Sequence, residues 1–221
     1  MKRSVIIIAL TVLFLSCQRT PDPAQRKKLM PMLPGIKVPV MALDAFHKGK
    51  IKTIDLSLYK RRWHVLFFYP SDFTHVCPTE LKELAELYSS FQDLNTEILS
   101  VSTDSVFVHK AWKKHDGLVK DLPFPMLSDR SGALSRHMGV YDTEGGFAHR
   151  ATFLINPRGE VITYEVHHDA IGRSAEELLR KVAAAQAIAE GGPGHYCPAG
   201  WKSGEEVKSF TGKERSLGDV P

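Results

Sequence analysis

Cysteine is scarce in this chain, and no two cysteines lie close together. Cys17, Cys77 and Cys197 are the three, an odd number spread over 221 residues, which excludes a disulfide-dense scaffold. No C-x-x-C pair occurs, so a structural zinc site and a thioredoxin-type dithiol both lose their usual signature. A strong charge of either sign is missing too. The formal net charge is +4, too mild and too dispersed to argue for nucleic acid as a partner. The apolar run Val5–Leu15 spans eleven residues, short of the roughly 20 needed to cross a bilayer as a helix. There is no internal repeat. The ten histidines, among them His64, His75 and the pair His167-His168, join no cysteine or carboxylate set at ligand spacing, so no metal site is expected. What remains is the composition of a soluble globular protein, 43% hydrophobic and 24% charged, with length for one sizeable domain and some appendages.

The N-terminus reads as an address. Met1-Lys2-Arg3 is basic, Val5–Leu15 is apolar, and Ser16-Cys17 follows, the layout of a secretory signal. Phe14-Leu15-Ser16-Cys17 resembles a bacterial lipobox, with Phe14 where leucine is usual and Leu15 where a smaller residue is usual. Residues 1–16 are expected to be a lipoprotein-type signal peptide, with Cys17 as the lipidated first residue of the mature chain. A plain secretory signal is the alternative. Residues 17–36 are polar and punctuated by proline and contain Arg26-Lys27-Lys28. They read as a tether whose basic cluster could face anionic headgroups.

Residues 37–190 alternate between strand and helix patterns. His64–Tyr69 is a short apolar run ended by Pro70, a buried strand. Cys77–Phe91 puts Leu81, Leu84, Ala85, Tyr88 and Phe91 on one helical face. Further strands are expected at 97–102, 124–127, 151–155 and 161–166, the last two as a hairpin about Asn156-Pro-Arg-Gly159. Helices are expected at 106–115, 131–138 and 174–190, the last opened by a Ser174/Glu177 capping box. This alternation argues for an α/β domain with helices covering a sheet. Residues 191–221 are rich in Gly, Lys, Glu and Ser and read as an extended tail.

Cys77 is where chemistry concentrates. Pro78 favours the first turn of a helix, which places Cys77 at or beside the N-cap. There the sulfur meets unpaired backbone N–H groups and the positive end of the helix dipole, both of which favour the nucleophilic thiolate. Thr74, three residues earlier, can turn its hydroxyl toward the same spot, and Pro70 can wall one side. A thiolate with several N–H donors suits a small O–O substrate, since the donors stabilise charge on the departing oxygen. The same residues also fit a buried core cysteine, a cap and a strand terminator, and spacing alone does not separate these readings.

The motif Pro70-x-x-x-Thr74-x-x-Cys77, in its fuller form FYPSDFTHVCPTE (Phe68–Glu80), resembles the active-site signature of the peroxiredoxins. His195-Tyr-Cys-Pro-Ala-Gly-Trp-Lys202 is similar to the segment around the resolving cysteine of the typical two-cysteine group. Phe147-Ala-His-Arg150 is similar to the segment that carries the family's active-site arginine, and Ile171-Gly-Arg-Ser174 also matches. The likeness is collinear over about Lys37–Lys202. It implies a thioredoxin-like α/β fold with peroxiredoxin additions: a central mixed sheet flanked by helices, and a C-terminal tail carrying the second thiol.

The resemblance implies a role for each residue. Cys77 attacks hydrogen peroxide or an alkyl hydroperoxide and becomes a sulfenic acid. Thr74 hydrogen-bonds thiolate and peroxide, Arg150 supplies positive charge, and Pro70 shields the sulfur from water. Glu80 and Arg173 form a supporting ion-pair network. Cys197 condenses with the sulfenic acid to a disulfide bridging two subunits of a homodimer, and such dimers often assemble into a ring of five, a decamer. A thioredoxin-like or flavoprotein disulfide reductant restores the thiols, with no metal or organic cofactor. A disulfide-linked chaperone-like or binding oligomer is the competing reading. Two departures stand out. The loop Asp116-Gly-Leu-Val119 is shorter than the GGLG loop of relatives prone to overoxidation, and after Trp201 only Phe210 is aromatic, with no Tyr-Phe pair. Both imply resistance to sulfinic acid formation. The N-terminal address implies the cell envelope, lipid-anchored or periplasmic, where most relatives are cytoplasmic.

Overall fold

The computed structural model describes residues 34–210. The signal, Cys17 and nearly all of the tether lie outside the described residues. β1 (Ala42–His47) and β2 (Lys50–Asp55) form a hairpin. Its two turn residues, Lys48 and Gly49, both have positive φ, 48° and 76°, the turn geometry that matches strand twist. Then follow β3 (Trp63–Phe68), α1 (Cys77–Glu86), α2 (Tyr88–Asp93), β4 (Thr96–Ser102), α3 (Val106–His115), β5 (Met126–Ser128) and α4 (Ala133–His137). A two-residue pair, β6 (Tyr141–Asp142) and β7 (Phe147–Ala148), precedes β8 (Arg150–Ile155), β9 (Val161–His167) and α5 (Ala175–Gly191). The tail carries β10 (His195–Tyr196) and β11 (Lys208–Ser209).

Seven strands make one mixed sheet in the order β2-β1-β5-β4-β3-β8-β9. β3, β4 and β5 run parallel, and the other pairings are antiparallel. β3 lies near the middle and is buried on both faces, which explains its apolar run Val65–Phe68. Side chains alternate across it. Val65 and Phe67 join a core with Leu81, Leu84, Phe91, Trp112, Leu178 and Val182. Leu66 and Phe68 join the opposite core with Leu99, Leu134, Met138 and Phe153. The mixed sheet flanked by helices is therefore present, and the expected 151–166 hairpin is β8–β9.

The expected helix over Cys77–Phe91 is two helices. Leu87 ends α1 at φ −95°, ψ 5°, and α2 restarts at Tyr88. The apolar periodicity runs through the break because Leu84 and Phe91 share one core, so the sequence shows a single helix. α5 opens as expected, with the Ser174 hydroxyl accepting from the Glu177 N–H at 3.2 Å. The Glu177 carboxylate pairs with Arg180 rather than closing the capping box. The tail also differs from expectation. β10 and β11 pair with each other, Trp201 is buried, and Tyr196 stacks on Phe210 at 4.7 Å between ring centroids. Among the described residues no helix is long and apolar enough to cross a membrane.

Candidate active site

The chain leaves β3 at Phe68, bends through residues 70–76 and enters α1 at Cys77. A buried polar chain fixes this loop. Tyr69 donates its hydroxyl to Asp72 Oδ1 at 2.8 Å, and Asp72 Oδ2 lies 2.7 Å from His109 Nδ1. His109 Nε2 lies 3.3 Å from the Leu127 carbonyl. A carbonyl only accepts, so that nitrogen carries a proton. Burial pushes the Asp72 carboxyl above the usual carboxylate range, against the opposing pull of His109. Asp104 clamps the same loop, its carboxylate accepting from the Asp72 N–H at 2.9 Å and from the Ser102 hydroxyl at 2.8 Å. Sequence reasoning missed Tyr69, Asp72, Asp104 and His109. A histidine on the apolar face of α3 carries no spacing signal; the acidic residue inside the quoted motif was the one clue.

Cys77 is the first residue of α1 and is fully buried. The N-cap, Val76, makes no side-chain capping bond, and Pro78 follows. The Thr79 and Glu80 N–H groups donate to the Val76 carbonyl at 3.1 and 3.3 Å and Pro78 has no N–H, so the Cys77 N–H is the first-turn donor left uncapped. Arg150, the first residue of β8, brings its Nη1 to 3.5 Å from Cys77 Sγ and to 2.5 Å from Glu80 Oε2. Its Nη2 donates to the Asp169 carbonyl at 2.6 Å. Glu80, one turn into α1, receives three bonds from Arg173: from the backbone N–H at 2.8 Å, from Nε at 2.9 Å and from Nη2 at 2.9 Å. Arg173 also donates to Thr152 Oγ1 and lies 3.5 Å above the Phe67 ring.

These buried ions tune one another. Burial would raise the Glu80 carboxyl, but Arg173 and Arg150 hold it below the usual range. Burial opposes the charge of Arg150, yet Glu80 and the Cys77 sulfur hold its guanidinium above its ordinary value. Burial lowers Arg173, with Glu80 working against it.

The structure thus brings Cys77, Glu80, Arg150 and Arg173 into one bonded cluster. Pro70 lies half-buried in the β3–α1 bend. Thr74 is exposed, and its hydroxyl donates to the Ser71 carbonyl at 2.9 Å, so its proton is committed within the loop. Cys197 is elsewhere, half-buried against α5 with Sγ 3.9 Å from the Ala184 carbonyl. Burial pushes its thiol up, and Arg180 opposes the shift. Cys77 and Cys197 are both free thiols.

Residues 34–164 match the AhpC/TSA family model. The chain is 45% identical over 176 residues to the selenocysteine-containing peroxiredoxin PrxU of Peptoclostridium acidaminophilum, covering 78% of this chain and 87% of that one. It is 43% identical over 159 residues to alkyl hydroperoxide reductase C of Staphylococcus epidermidis, covering 72% and 84%. The crystal structure of Enterococcus faecalis AhpC superposes with a TM-score of 0.72 at 42% identity, covering 75% of this chain and 99% of that one. A buried cysteine at a helix start, bonded to an arginine within a fold of this kind, agrees with those likenesses: the chain belongs to the AhpC/TSA family and is a peroxiredoxin enzyme.

Proposed function

We propose that the protein is a two-cysteine thiol peroxidase that reduces hydrogen peroxide and alkyl hydroperoxides. The observation that carries this reading is the Arg150 guanidinium held between Cys77 Sγ and Glu80 at the start of α1. The guanidinium and the helix N-terminus both place positive charge against the sulfur that attacks. That thiolate attacks one oxygen of ROOH. The O–O bond breaks, the other oxygen leaves as ROH after taking a proton, and Cys77 becomes a sulfenic acid. Arg150 and the Cys77 N–H stabilise the departing oxygen. Thr74 turns its hydroxyl from the Ser71 carbonyl toward the peroxide, and Pro70 keeps bulk water from the sulfur. Glu80 and Arg173 set the angle of Arg150.

The Cys197 thiol of a second subunit then attacks the sulfenic sulfur, releasing water and forming the disulfide. Both α1's first turn and the β10–β11 tail must open for the sulfurs to meet. An external dithiol protein, thioredoxin-like or the disulfide centre of a flavoprotein, returns both thiols. A homodimer, assembling further into a decamer, is the functional unit. We propose the cell envelope as its location, held by lipid on Cys17 or free in the periplasm, a reading supported by the signal-like pattern of residues 1–16.

The test is peroxide consumption with dithiothreitol. Wild type turns over, Cys77→Ser is inactive, and Cys197→Ser, whose sulfenic acid dithiothreitol reduces directly, links no subunits on a non-reducing gel after peroxide alone. Equal turnover by wild type and Cys77→Ser would sink the proposal. Fatty-acid labelling lost in Cys17→Ala would support the anchor, and label persisting in that variant would remove it.

A further inference from the structure

His149 sits between β7 and β8, directly before Arg150. Its backbone N–H donates to the Val140 carbonyl at 2.8 Å, and its side chain is half-exposed. Nδ1 stands 4.0 Å from Asp169 Oδ1. That oxygen is buried and lacks a hydrogen-bond partner, although much of the Asp169 side chain reaches solvent. The main-chain carbonyl of the same Asp169 accepts from Arg150 Nη2. One residue of the β9–α5 loop therefore grips the site arginine through its backbone and offers His149 an unpaired carboxylate oxygen. A buried acceptor without a donor costs free energy until one arrives.

Asp142 of β6 has its carboxyl held low, first by the N–H groups of Gly145 and Glu144 and last by His149. The Phe147 ring meets the imidazole edge-on at 6.2 Å. Arg150, its chain neighbour, is the cation that opposes a second positive charge. His168, the other imidazole of the loop, accepts from the Ala170 N–H at 3.2 Å. Two carboxylates from two different elements thus face a single histidine.

We infer that His149 is a pH-responsive positioning residue: as imidazolium it closes on the unpaired Asp169 oxygen and fixes the loop whose carbonyl holds Arg150 against Cys77. The neutral ring carries one N–H and no charge, whereas the cation carries two and adds attraction to the bond. Histidine makes this change near neutral pH. The inference rests on Arg150 acting on Cys77 as proposed above.

The experiment measures the second-order rate of Cys77 oxidation by hydrogen peroxide in full-length protein. Each rate is divided by the thiolate fraction, read from ultraviolet absorbance, so that the sulfur's own titration drops out. Measurements run from about pH 8 down to 5, across the histidine range. The wild-type rate per thiolate should rise about two- to fivefold toward acid, the scale of a half-exposed ion pair. His149→Gln and Asp169→Asn should stay at the wild-type alkaline level throughout. His149→Lys, charged at every pH used, should stay near the acid level. A wild-type profile without the step, a His149→Gln profile that keeps it, or a His149→Lys profile matching His149→Gln overturns the inference. Should Arg150→Met react as fast as wild type, the reading of Arg150 itself fails, an outcome separable from the other three.

Discussion

Glu80 is the side chain on which both buried arginines converge. Replacing it with glutamine keeps the shape and removes the charge that both cations need. Breaking a buried pair by deleting one partner is strongly destabilising. Glu80→Gln should therefore lower unfolding free energy by about 3 kcal/mol in a denaturant titration. Adding Arg173→Met should recover part of that loss, because one stranded cation is then gone. The pH sign follows from the depressed Glu80 carboxyl. Its stabilising contribution is complete above the ordinary glutamate range and disappears as acid takes the pH down through the lowered folded-state value. Cys77, Glu80, Arg150 and Arg173 were legible because their motifs stand in order along the chain. Asp72 and His109 were not, since their pairing exists only after α3 packs beneath the β3–α1 loop.

At the scale of elements, the tail is held by one anchor. Trp201 is buried, donates from Nε1 to the Glu205 carbonyl at 3.2 Å, and offers its own carbonyl to Arg180. Trp201→Ala should release β10–β11 while the rest of the domain stays folded, because little else of the tail is buried. In a Cys77→Ser background, alkylation of Cys197 should then speed up at least about tenfold, the response to roughly 1.4 kcal/mol of easier local opening. An unchanged rate would show that the tail opens without Trp201. The short turn after α3 (residues 116–120) and the lone Phe210 bear on a second outcome. By resemblance, the short loop and the missing Tyr-Phe pair imply that Cys77 should pass from sulfenic acid to disulfide faster than it gains more oxygen. Mass spectrometry after cycling with excess peroxide and reductant should show little sulfinic product, and abundant product would contradict this. The edge elements were hard to read in advance for a physical reason. β2 is short and carries Lys50 and Lys52, a common way to protect a sheet edge, which blurs the two-residue alternation. β6, β7, β10 and β11 have two residues each, too few for any period to show. α3 coincides with the expected 106–115, and Ser105 fixes its start, accepting from the Val108 N–H at 3.3 Å.

For the molecule as a whole, acid sensitivity should centre on His64. Burial lowers its pKa to about 4, with its Nδ1 bonded to the Arg62 carbonyl at 3.1 Å. The unfolded chain takes up that proton near the ordinary value of about 6.5. Stability is thus full above that value, falls between it and the folded value, and levels off below, a loss of at most about 3 kcal/mol. A His64→Gln variant should show a flatter unfolding profile in this window, and an identical slope would exclude His64 as the source. The layered α/β plan itself was legible from β3, β4, β8, β9 and α5, whose buried faces leave long apolar patterns. The bonds from Arg150 to Cys77 and Glu80, and from Arg173 to Glu80, join a helix at the front of the chain to residues 70 to 93 positions later. No early fragment holds both halves, so a growing or unfolded polypeptide carries the thiol without its arginine. The site assembles with completion of the sheet, and on the proposed envelope address a chain exported in extended form would reach its destination before its sulfur met its arginine.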